Sequence, residues 1–222
     1  MLGNLFDPND KLLVHDRLRP HWAQSGAIVF LTARTRDSIP KEVLVRWESE
    51  KYQWLQQLAR RLGQSLAKDR HWSQLLEQFE DCHRKEFLKQ FDRCREMELD
   101  PCHGECHLGK SELAQIVADS LLCFDKSRYR MGDFVIMPNH FHALVAFRDA
   151  DCMAKQISGW LHWTATQINR RLGRSGHFWQ PEPFDHLVRS VEQYKYLRKY
   201  IADNPKKARL AEGQFLYRRL DE

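Results

Sequence analysis

The chain has 222 residues, 42% hydrophobic and 29% charged, and its 35 Lys and Arg against 30 Asp and Glu give a formal net charge of +5. These values suit a globular protein large enough to bury a core without staples, and no apolar run approaches the roughly 18–20 residues of a membrane span. The opening MLGNLFDPNDKLL lacks the basic-then-apolar pattern of a secretory signal, so a membrane protein and a secreted disulfide scaffold are excluded and the six cysteines are expected to be reduced thiols in the cytoplasm.

In chain order, residues 1–25 are polar and read as irregular, ending in a loop at Ser25-Gly26. Residues 27–35, AIVFLTART, are β-branched and apolar, which predicts a strand. Ser38 is the expected N-cap of a following helix, with Pro40 in its first turn. From 40 to 98 the only breakers are Pro40 and Gly63, and Val43, Trp47, Trp54, Leu55, Leu58 and Leu62 recur near helical spacing. Two helices are predicted there, broken around 63–70, with the tryptophans in a core or an inter-helix seam. Residues 99–109 read as turns, and 111–124 as an amphipathic helix with Ser111 as a cap. Residues 128–137 and 141–147 are strand-like and flank Pro138-Asn139-His140, a hairpin pattern. A helix is predicted over 153–171, a strand over 183–189, and a helix over 190–203 that Pro205 ends. The strands are too closely coupled for a parallel sheet. The order implies an α+β protein: one domain with an antiparallel sheet, helices packed on it, a helical insertion over about 38–100 and a basic tail over 205–222.

His140 and His142 are separated by one residue, so on a strand the two imidazoles share one face while Phe141 points to the other. That is a ready metal clamp, and it is equally the pattern of two surface histidines. Tyr196 and Tyr200 share a helical face, and Asn204 lies one turn beyond Tyr200. Packing tyrosines and a capping asparagine would look the same. Taken together, the two features change the weighting. A cation held by two histidines and an amide can polarise a phosphodiester, and a tyrosine attacking it forms a phosphotyrosine that conserves the bond energy for rejoining.

FVIMPNHFHALV (134–145) resembles the strand pair bearing the histidine–hydrophobic–histidine motif of single-tyrosine HUH transposases, and YLRKYIADNPKKARL (196–210) resembles the tyrosine helix of their REP-associated branch. GHFWQPEPFDHLVRS (176–190), GECHL with the helix after it, and RLRPHW…GAIVFLTARTRDSIP (17–40) match further blocks in the same order. The resemblance implies a ferredoxin-like HUH-endonuclease fold and nicking and rejoining of single-stranded DNA beside foldback hairpins, with Mg²⁺ or Mn²⁺. It implies Tyr200 as the nucleophile, with Tyr196 as its rival, and His140, His142 and Asn204 as metal ligands. It also implies a monomer or homodimer associated with the bacterial nucleoid. The chain departs from the family after Asn204-Pro205: Lys206 replaces an apolar residue and Arg209 a usual glycine, which puts the docking of the tail in question.

Lys and Arg outnumber Asp and Glu from Lys195 to Arg219, a pattern that attracts phosphates or simply solvates a helix. Arg34, Arg36, Arg198, Lys199, Lys206, Lys207 and Arg209 are candidate DNA contacts. Trp179 is a candidate base-stacking residue or a core residue. Cys102, His103, Cys106 and His107 form half of a zinc pattern with no second pair at the usual distance, and incidental thiols are the larger expectation. Two other functions stay open: a domesticated protein that binds DNA or RNA hairpins without cutting them, and a phosphodiesterase that uses water, with Tyr200 structural.

Overall fold

The computed structural model of the protein describes residues 1–16, 20–67, 69–97 and 102–220. The first residues, 99–101, of the turn region expected over 99–109 and the start of RLRPHW lie outside them. The elements are β1 (Leu13–Asp16), β2 (Pro20–Ala23), β3 (Ile28–Arg34), α1 (Lys41–Arg61), α2 (Trp72–Leu76), α3 (Asp81–Met97), a 3₁₀ turn (His107–Gly109), α4 (Ser111–Leu122), β4 (Tyr129–Met137), β5 (His140–Phe147), α5 (Ala150–Leu172), β6 (Phe184–Leu187), α6 (Val191–Lys207) and β7 (Leu216–Arg218). Two compact units result, one of residues 1–38 and 105–222, the other of residues 39–104.

The first unit is built on a five-stranded sheet in the order β6-β3-β5-β4-β7, every neighbouring pair antiparallel. Without β7 this is the ferredoxin-like order of a β-α-β-β-α-β chain. The protein is therefore α+β, as its sequence pattern predicts. Strand alternation divides the apolar residues between two cores. Val29, Leu31, Ala33, Phe141, Ala143 and Val145 face α4 and α5. Ile28, Phe30, Val135, Met137, Leu144 and Ala146 face α6, which contributes Tyr194, Leu197 and Ile201. Burial of each such large side chain stabilises the fold by about 1.5–3 kcal/mol. Every residue of β5 is buried, so its histidines are interior groups and not surface ones. At Gly132, where β4 shifts register, an added Cβ would lie 2.7 Å from Leu2 Cδ2 and 3.0 Å from the Leu144 carbonyl oxygen, so only glycine fits.

Four expectations need correction. Residues 1–25 are not all irregular, because β1 and β2 pair as an antiparallel ribbon. Ser38 does not cap α1: its hydroxyl accepts a hydrogen bond from Gln180 Nε2 at 3.2 Å, and Pro40 holds the N-cap position without a side-chain bond. Ser111 is the first residue of α4, and Lys110 precedes it as the N-cap. Pro205 does not end α6, which runs on to Lys207. Its fixed φ suits a helix, and it sits in the last turn. The helix closes on Arg209 in the left-handed region at φ 55°, with Arg209 N–H donating to the Lys206 carbonyl and Leu210 N–H to the Pro205 carbonyl, both at 3.0 Å. That is a Schellman closure.

The second unit contains α1, α2 and α3, one helix more than the sequence pattern suggests. Leu55, Leu58, Leu75, Leu76, Phe79 and Phe87 form its core. Trp54 and Trp72 pack on Phe87 with ring centroids 5.2 and 5.6 Å away, so these tryptophans are core residues.

Candidate functional site

The site lies where β3 and β5 meet α6. On β5, His140 and His142 turn to the α6 face and are 1% and 2% exposed. Their rings are 4.8 Å apart, edge to face. Each is held through Nδ1. His140 Nδ1–H donates to Asn139 Oδ1 at 2.7 Å, and His142 Nδ1 lies 2.8 Å from the Thr32 hydroxyl. Register explains the second contact, since Thr32 pairs directly with His142 across β3 and β5. Both Nε2 atoms are buried, and neither has a partner of good hydrogen-bond distance and angle among the described residues, the Asn204 side chain being the polar group beside His140.

Burial, the Arg34 charge next, pushes the His140 imidazole down to about 3, while the Asn204 side chain works the other way. Burial also holds His142 well below the ordinary histidine range, and His140, Arg34 and Lys207 add to it. Both rings are therefore neutral near pH 7. A neutral imidazole fixed at Nδ1 with an orphaned Nε2 lone pair is the donor form that a metal ion takes.

α6 supplies the other groups. Ser190 caps it by accepting from Gln193 N–H at 3.1 Å. Tyr194, Leu197 and Ile201 anchor one face in the core and leave Tyr200 half-buried over the histidines. The Tyr200 ring is 5.2 Å from His142 and 6.0 Å from Phe30, both edge-on. Lys207 Nζ stands 4.7 Å from the centre of the Tyr200 ring. Asn204 is buried beside His140. Tyr196 lies one turn earlier and is 64% exposed, with its ring 6.4 Å from Tyr200.

The fold thus brings Tyr200, His140, His142, Asn204, Arg34 and Lys207 to one place. Arg34 closes β3 opposite His140 and is 8% exposed. Arg36, Lys199, Lys206 and Arg209 are exposed. Two expected DNA contacts are committed elsewhere. Arg198 turns inward, with Nε donating to Asp133 Oδ2 at 2.9 Å and Nη2 to the Leu220 carbonyl at 3.2 Å, so it ties the tail to β4. Trp179 is 5% exposed in the α5 core, where its indole N–H donates to Thr164 Oγ1 at 2.9 Å, so it is no stacking platform. The sequence pattern does not single out Thr32, Asn139 or Phe30. Only strand register places Thr32 and Phe30, and Asn139 reads as an ordinary turn residue.

Two other features stand apart. Among the described residues no group of three or more His, Cys, Asp or Glu side chains is arranged to hold a metal ion. His107 is engaged by Glu105 and by Arg174 Nη1, the latter at 2.9 Å. A cavity of about 440 Å³ between α5 and residues 176–185 includes none of His140, His142, Tyr200 and Asn204.

No protein-family model and no curated protein matches the chain. A solved structure described as that of the REP-associated tyrosine transposase bound to a REP hairpin is similar to it, with a TM-score of 0.44 and 14% identity, over 87% of this chain and 74% of that one. The likeness is distant and one of fold. Among the described residues no helix is long and apolar enough to cross a membrane.

Proposed function

We propose that the protein nicks and rejoins single-stranded DNA through a covalent phosphotyrosine, with a divalent cation. The observation that carries this reading is the pair of buried, neutral imidazoles with orphaned Nε2 atoms, one of them 5.2 Å from the Tyr200 ring. His140 and His142 through Nε2, and Asn204 through its amide oxygen, fit Mg²⁺ or Mn²⁺. Such a cation, when bound, polarises a phosphate oxygen and offsets charge at the phosphorus.

The chain's own groups do the rest. The Tyr200 oxygen bonds to phosphorus as the P–O3′ bond breaks, and the phenol proton ends on the departing 3′ oxygen. The products are a 5′-phosphotyrosine and a free 3′-OH, and reversal rejoins a strand. A free phenol ionises near pH 10, so Tyr200 needs electrostatic help, and the Lys207 ammonium 4.7 Å from its ring supplies it. Burial keeps His140 and His142 free of protons that would compete for Nε2. The substrate class, single strands beside foldback hairpins, rests on the resemblance of 134–145 to single-tyrosine HUH transposases and of 196–210 to their REP-associated branch.

The test uses hairpin oligonucleotides with Mn²⁺ on a denaturing gel. A shifted covalent species is expected from the wild type, and none with EDTA, Tyr200→Phe or His142→Ala. Tight binding with no covalent species at any metal concentration would point to the non-cleaving reading.

A further inference from the structure

We infer that Tyr196 is a stacking platform for the unpaired base next to the phosphate that Tyr200 attacks, and that it lets the site tell a single strand from a duplex. The inference rests on the reading of Tyr200 as the nucleophile. Tyr196 lies one turn before Tyr200 on α6 and shares its face of the helix. Its ring is 6.4 Å from the Tyr200 ring, with the two planes 28° apart. The helix cannot roll to bury it, because Tyr194, Leu197 and Ile201 are fixed in the core on another face. Tyr196 is 64% exposed, and its hydroxyl makes no hydrogen bond among the described residues. The three tyrosines of α6 thus differ: Tyr194 is buried, Tyr200 is half-buried over the histidines, and Tyr196 is open.

Charge and shape both favour a nucleobase on that ring. Lys195 and Lys199 flank Tyr196 and are exposed, and Lys207 stands 4.7 Å from the centre of the Tyr200 ring. A strand drawn along α6 meets cations for its phosphates with an aromatic face between them, the combination that holds single strands without sequence readout. Glu192, one turn before Tyr196 and exposed, repels a phosphate and bounds the stretch at that end. Every base has a π-face, so such stacking tolerates any sequence. In a duplex the neighbouring pairs cover both faces of a base, so only an unpaired base is free to stack. The two tyrosine rings are nearly parallel and one helical turn, about 5.4 Å, apart along α6. That separation suits a base on Tyr196 and its adjoining phosphate at Tyr200. It is the Tyr200 ring that stands 5.2 Å from His142, so the two tyrosines divide attack and positioning between them.

The test is binding of the whole protein to a labelled hairpin oligonucleotide with unpaired extensions, in EDTA so that no strand is cut, read by fluorescence anisotropy. Tyr196→Ala is expected to bind about tenfold more weakly than wild type, the size of one lost stacking contact. Tyr196→Phe should match wild type, since the ring and not the hydroxyl holds the base. Tyr196→Leu, which keeps apolar bulk without a π-face, should bind nearly as weakly as Tyr196→Ala. An abasic site moved along the extensions should cost wild type and Tyr196→Phe about tenfold at one position, and cost Tyr196→Ala little there. With the extensions paired to complementary strands, all the proteins should bind alike. Equal affinity for the unpaired form and one shared abasic profile, while Mn²⁺ still gives wild type its covalent Tyr200 species, would overturn the inference and leave the proposed function standing. Absence of that species from wild type would overturn the reading of Tyr200 and the inference with it.

Discussion

Lowering the pH from 7 to 5 should destabilise the metal-free protein by several kcal/mol, and buried histidines set the size of the effect. Burial, with Arg34 second, brings His140 down to about 3, and burial, with Arg189 second, brings His186 down to about 4. His142 is lowered well below its ordinary value. A folded-state pKa below the unfolded value of about 6.5 means that the unfolded chain binds more protons between the two. The stabilisation is therefore complete above about pH 6.5 and is lost as pH falls toward the folded values. At pH 5 each ring that stays neutral in the fold costs about 1.5 pH units of linkage, or about 2 kcal/mol, so His140 and His186 together give about 4 kcal/mol, and His142 adds in the same direction. Urea unfolding in EDTA at the two pH values measures the difference. His186, which packs on Phe30 and Phe184, offers an internal control: His186→Leu should remove about 2 kcal/mol of the pH dependence. Equal stability at both pH values, or a wild-type pH dependence in His186→Leu, would refute the reasoning.

Two further outcomes concern the end of α6. Arg209 sits at φ 55°, where a side chain costs about 1 kcal/mol. Arg209→Gly should raise stability by up to about that amount in thermal unfolding, and a loss of stability would show that the arginine side chain contributes more than its backbone costs. Arg198→Met should lower stability by about 3 kcal/mol, because it takes the guanidinium from the Asp133 carboxylate, which is 3% exposed and keeps the Leu220 N–H as a donor at 2.7 Å. Urea unfolding reads that loss, and Asp133→Asn in the same chain should restore part of it.

Much of the fold is legible in local pattern. The alternation in 128–147, the apolar run 27–35 and the helical spacing in α4, α5 and α6 each survive in the structure because propensity and burial agree there. The ribbon β1–β2 and the edge strand β7 are only three or four residues each, too short to show a period, and β7 exists through pairing with the distant β4. Pro205 misleads because a proline in a last helical turn is tolerated when the carbonyls beyond it close through a left-handed residue. At the site, the shared face of His140 and His142 follows from their spacing alone. That their Nε2 atoms are buried and orphaned does not, because it depends on Asn139, on Thr32 across the sheet and on the packing of α6. Trp179 and Arg198 show the reverse limit. An aromatic and a cation near a nucleic-acid-like motif read as DNA contacts until a buried hydroxyl and a buried carboxylate claim them.

The most direct test of the account is to find which atom carries the DNA. Protein mixed with a single-stranded hairpin oligonucleotide and Mn²⁺ would be quenched, digested and sequenced by mass spectrometry. The account predicts a nucleotide joined through its 5′-phosphate to the peptide containing Tyr200, absent with EDTA and absent from Tyr200→Phe. A modified Tyr196, or cleavage that persists unchanged in Tyr200→Phe, would contradict it.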